Sequence, residues 1–146
     1  MKRRLLLLAL VPVLLIGCSS SPPVRPQNPQ SSSRCVPASV AQMNAVRTGV
    51  KHVDPKNDVK SGWAVKSKSF DNVWFVATKV YGAGMENGSD PGVWAISGSQ
   101  AKPGMTISVN GNAKSFSSWP DASTTRAGTT LADDGAEDAL SCAKNE

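Results

Sequence analysis

Residues 36–50 (VPASVAQMNAVRTGV) place Val36, Val40, Met43, Val46 and Val50 at helical spacing. Pro37 suits a first turn and Gly49 an end, so the pattern predicts a helix there. Period-two runs follow. At 61–67 Trp63 and Val65 share a face, and at 73–81 Trp74, Val76, Thr78 and Val80 alternate with Val73, Phe75, Ala77, Lys79 and Tyr81. At 92–97 Trp94 and Ile96 oppose Val93 and Ala95, and at 105–109 Met105, Ile107 and Val109 oppose Thr106 and Ser108. Clusters at 71–72, 86–92, 102–104 and 110–112, rich in Asn, Asp, Gly and Pro, predict the intervening turns. Residues 132–144 predict a final helix. Acidic residues lead it, Lys144 ends it, and Ala136, Ala139, Leu140 and Ala143 form its apolar side.

The helix–four strands–helix order predicts an α+β fold: a small antiparallel four-stranded sheet with an N-terminal and a C-terminal helix on one face. The alternative is an all-β sandwich or barrel. Trp63, Trp74 and Trp94 are assigned to the core beneath the helices. Val73, Phe75, Tyr81, Val93 and Ala95 then form a second, half-apolar face, rimmed by Lys66, Lys68 and Lys79. Such a face is a candidate partner surface unless the polar segment 113–131 folds back over it through Phe116 and Trp119. Phe75, Tyr81 and Trp119 are therefore the candidate binding residues.

Upstream of this pattern the chain changes character. Lys2, Arg3 and Arg4 precede thirteen uncharged residues at 5–17, too short a run to span a bilayer but suited to an export signal. The sequence Leu15-Ile16-Gly17-Cys18 resembles the lipobox of bacterial lipoproteins, with Ile16 bulkier than the small residue more usual at that position. The resemblance is confined to the first 18 to 20 residues. It implies removal of residues 1–17 as a lipoprotein signal peptide and diacylglyceryl attachment to the Cys18 sulfur. Acyl chains, palmitate among them, would then hold the protein in a cell membrane or outer membrane, exposed on the non-cytoplasmic side. Ser19, rather than an aspartate, follows the cysteine. In a host with two membranes that residue implies sorting to the outer one.

Residues 18–33 then form a lipidated tether, and 34–146 a single globular domain. The tether (SSSPPVRPQNPQSSS after Cys18) has one aliphatic residue and one charge, too little apolar surface to offset ordering, and its prolines favour an extended chain reaching on the order of 40 Å. Cys35 and Cys142 remain after Cys18 is assigned to lipid. In an exported protein they are expected to pair as a disulfide spanning almost the whole domain, the alternative being two free thiols.

Composition changes one conclusion. The chain carries 16 basic and 11 acidic residues, but loss of Lys2, Arg3 and Arg4 with the signal takes the formal charge from +5 to +2. That withdraws the charge argument for a nucleic-acid partner, and none is expected. A single histidine, His52, and cysteines already assigned leave no expected metal site or cofactor. The turn at 86–90 lacks the alternating carboxylates of a calcium loop. Neither a Gly-x-Ser-x-Gly elbow nor a phosphate loop between strand and helix occurs. A His52–Asp54 pair is a catalytic arrangement that sequence proximity offers, but a solvated loop histidine is the preferred reading.

The expected function is a non-enzymatic interaction module, lipid-anchored in the cell envelope and binding an envelope or extracellular protein. Roles compatible with that physics include assembly, inhibition of an external enzyme and phage superinfection exclusion. The alternative is a small-ligand or lipid carrier with a cavity between sheet and helices.

Overall fold

Ser39 starts the first helix. Its Oγ accepts from the Gln42 N–H at 3.1 Å while Gln42 Oε1 accepts from the Ser39 N–H at 3.0 Å, a reciprocal cap that fixes α1 at Val40–Val53. Pro37, expected inside this helix, instead belongs with Val36 to a short edge strand, β1 (Val36–Pro37), paired with Ala64 and Trp63. His52 accordingly lies in the last turn of α1 and not in the segment after it. The structure, a computed structural model, describes residues 34–146. The signal peptide, Cys18 and the tether lie outside the described residues.

The fold is α+β. After α1 come β2 (Asp58–Val59), β3 (Trp63–Lys66), β4 (Val73–Thr78), β5 (Val80–Tyr81), β6 (Gly92–Gly98) and β7 (Pro103–Ser108). An antiparallel five-stranded sheet has the order β1-β3-β4-β6-β7, and β2 pairs with β5 in a separate two-stranded ribbon. The sheet thus has one more strand than expected. The run at 73–81 also splits after Thr78, whose hydroxyl bonds the Ser61 carbonyl as the chain leaves the main sheet.

The helices do not share a face. Val46 and Val50 of α1 pack with Ala64, Val76, Trp94 and Ile96 on one side of the sheet. α2 (Gly111–Phe116) joins them through Ala113 and Phe116. Ala136, Ala139 and Ala143 of α3 (Ala136–Lys144) pack on the opposite side with Val65, Phe75, Ala77 and Val93. The expectation of both helices on one face fails because each face of the central strands is apolar. A two-sided apolar sheet needs a cover on each side.

Register explains a second correction. Trp63 stands opposite Ala77, and Trp74 opposite Ile96. Residues directly paired across antiparallel strands share a face, so Trp63 lies on the α3 side while Trp74 and Trp94 lie beneath α1 and α2.

Candidate functional site

The apolar face carrying Phe75 and Val93, expected to be open, is mostly closed. α3 covers its β3–β4 half, where the small Ala136 and Ala139 let the helix lie close to the strands. Ala122, in a 3-10 turn at Ala122–Thr124, and Leu131 pack on the same core. The fold-back segment therefore does contact this face, but not through the expected residues. Phe116 and Trp119 turn to the α1 side, where the Trp119 Nε1–H donates to the Ala45 carbonyl at 3.1 Å.

One corner stays open. An apolar cleft of about 90 Å³ remains between the start of β4, the β6–β7 hairpin and residues 127–129. Phe70, Val73, Ala95, Ile107, Ala127 and Thr129 line it, with Ser97 and Met105 at the hairpin. Met105, on the edge strand β7, is 70% exposed. The hairpin takes its shape from an irregularity in the β6–β7 pairing at Ile96/Gly98. Gly98 has φ +92°, and a Cβ there would lie 2.5 Å from the Lys102 carbonyl oxygen, so only glycine fits this turn without distortion. Thr129 contributes a buried hydroxyl that has no hydrogen-bond partner. The cleft's size suits one aliphatic or thioether side chain.

The three residues expected to form the surface are not brought together. Phe75 is fully buried beneath α3, which removes it as a contact residue, for the same reason that the face is closed. Tyr81 is half-buried on the β2–β5 ribbon, with the Lys60 ammonium 4.1 Å from its ring centroid. Trp119 packs on α1 at Gly49. Of the expected rim, Lys66 pairs with Trp74 and so stands on the α1 side of the sheet. Val73 and Ala95 do line the cleft. Phe70, Met105, Ala127 and Thr129 were not singled out by sequence. Met105 follows the Lys102-Pro103-Gly104 turn, while Phe70 and residues 127–129 lie in segments without periodicity far from it along the chain, so nothing in the sequence places the four side by side.

Cys35 and Cys142 face each other at disulfide distance, with Cα atoms 6.6 Å apart across 107 positions of sequence. Arg34 stands beside this pair. Its guanidinium donates to both Asp134 carboxylate oxygens at 2.8 Å, to Asp138 at 3.2 Å and to the Lys66 carbonyl at 2.6 Å. The Arg34 hydrogen bonds, joined by the Lys68 backbone N–H, pull the Asp134 carboxyl down from 3.8 to about 2. At the far end of α1, burial pushes Asp58 up, but the Arg47 hydrogen bond and the Val59 N–H together hold it below its ordinary value.

His52 is exposed and the Asp54 carboxylate accepts from the Lys56 N–H. Among the described residues no group of three or more His, Cys, Asp or Glu could hold a metal ion. Nor is any helix among them long and apolar enough to cross a membrane. On the α1 side, the space that the alternative carrier reading would need between sheet and helices is filled by Trp94, Ile96, Val46 and Val50. Comparison with protein-family models, curated proteins and solved structures gave no match to this chain.

Proposed function

We propose that this chain is a lipid-anchored, non-enzymatic binding module of the cell envelope that grips a partner protein by one apolar side chain. The observation that carries this reading is the solvent-facing Met105 at the mouth of an apolar cleft. Apolar pockets with an exposed hydrophobic rim favour contacts in which a partner's side chain leaves water. The anchor supplies the rest of the mechanism. Acylation at Cys18 confines the domain to one leaflet, and a tether of tens of ångströms raises its effective concentration near membrane-bound partners.

The test has two arms. For the anchor, Cys18→Ser abolishes acyl labelling and leaves an uncleaved or released protein; labelling that persists in this variant removes the anchored reading. For the cleft, a photo-crosslinking amino acid is placed at Met105 in intact host cells, with Lys144 as the control position. A defined adduct is expected from position 105 and not from 144, and it is lost when Ala127→Trp fills the cleft from an exposed position. Equal adducts from both positions, or an adduct indifferent to Ala127→Trp, would refute the cleft as the binding site.

A further inference from the structure

Two depressions meet along β1. Val40 and Lys60 border one, and Val36, Lys66, Lys68 and Trp74 border the other. Val36 borders the second and Pro37 and Ala38 the first, so the two are neighbours along β1. Together they are both greasy and cationic. Val40 is 77% exposed and Val36 is 39% exposed, while Trp74 is half-buried beside them. Val36, Lys66 and Trp74 share a sheet face by register, since Val36 pairs with Ala64 and Lys66 with Trp74.

The nearby carboxylates are each paired, Asp134 and Asp138 at the border of the second depression itself, where Arg34 and the Lys68 N–H hold them. Asp58 pairs with Arg47 and Lys51, Asp134 and Asp138 pair with Arg34, and Glu146 accepts from the Ser61 hydroxyl at the margin. Lys60, Lys66 and Lys68 have no carboxylate within salt-bridge distance among the described residues. Glu137 rides on α3, across the sheet. The preceding 33 residues join the domain at Arg34, two positions before Val36.

From this placement we infer that the β1 surface is the membrane-facing side of the domain and docks on anionic phospholipid headgroups. The placement rests on the anchored reading, in which the tether enters the domain at Arg34, beside this surface. The chemistry is independent of it. Lysines flanking a half-buried tryptophan and exposed aliphatics match an interface with anionic headgroups above and acyl carbon below.

The chain starting at Ser19, which contains the whole described domain and neither Cys18 nor the apolar leader, is mixed with vesicles. Pure phosphatidylcholine is compared with vesicles carrying about one-third phosphatidylglycerol. Expected is sedimentation with the anionic vesicles only, weakened by added salt. Lys66→Glu with Lys68→Glu should lower the affinity at least about tenfold, while Lys102→Glu with Arg126→Glu should leave it nearly unchanged. Equal binding to both vesicle types, no binding to either, or equal loss from both variant pairs would overturn the inference. So would capture of polyglutamate in place of anionic vesicles, which would assign the surface to an acidic protein. The salt dependence of the unmodified chain keeps the test decisive should the charge-reversed form fail to fold. Because no acyl group is present, this outcome is separate from that of the Cys18 labelling experiment.

Discussion

Thr129 carries a hydroxyl that the fold shuts away without a partner. A buried hydroxyl loses its water hydrogen bonds and here regains nothing, so removing it costs little. Thr129→Val keeps the shape and should be neutral or stabilise by on the order of 1 kcal/mol in denaturant unfolding. A loss of stability would mean the hydroxyl is satisfied in solution. Gly49 makes the opposite prediction. Alanine is the better helix former by roughly 1 kcal/mol, yet a Cβ at this position would lie 2.3 Å from Trp119 Nε1. Gly49→Ala should therefore lower stability by about 1–3 kcal/mol through overpacking. Combined with Trp119→Leu, the penalty should shrink, a coupling that a double-mutant cycle reads directly. At this scale the sequence marked Gly49 as a helix end, because a mid-helix glycine and the distant tryptophan that demands it look unrelated along the chain.

Among the elements, the Arg34 clasp ties the start of the domain to the entry of α3 and to β3. The Asp134 carboxyl titrates near 2 in the folded chain against an ordinary 3.8. A depressed carboxylate adds stability that is complete above its unfolded value and is lost as pH falls through its folded value. Thermal unfolding should therefore show the clasp contributing at pH 5 and fading between about pH 4 and pH 2. Asp134→Asn should be less stable than the parent at pH 5 and converge with it near pH 2. Parallel curves at every pH would dismiss the clasp as a source of acid sensitivity. Element existence was largely legible: one long helix, four main strands and a final helix all occur. The start of α1 differs from the pattern's because Pro37 mimics a first turn, whereas the Ser39 and Gln42 spacing supplies the actual cap. α2 was read as a turn because Asn110-Gly111-Asn112 is turn-like in composition. In the fold, Asn110 Oδ1 accepts from both the Ala113 and Val93 N–H groups, which makes it a helix cap that also ties α2 to β6.

For the molecule as a whole, alternation along each strand defined two faces but not which faces coincide between strands. That depends on register, and a one-residue difference in pairing moves a side chain to the other side of the sheet. Hence Trp63 was grouped with Trp74 and Trp94 although Ala77 is its partner. The cleft was less legible still, since its walls come from four separate stretches of chain. The cysteine pairing, by contrast, needed only the count of cysteines and the compartment. Closing a loop of this length constrains the unfolded chain by about 4–5 kcal/mol in the loop-entropy model. Cys35→Ser with Cys142→Ser should lose a large part of that in urea unfolding, and thiol titration of the oxidised protein should find neither sulfur free. Two titratable thiols would contradict the pairing.

The position of that bridge also decides how the domain bears load. A pull between the N-terminal side of Cys35 and the C-terminal residues after Cys142 runs through the sulfur–sulfur bond. The sheet between them is then mechanically bypassed. A pull applied at Met105 enters inside the closed loop instead, so its force must pass through the β-strands to reach Cys35. Drag on the chain's ends therefore bypasses the sheet, while tension applied at Met105 is a load the sheet has to resist.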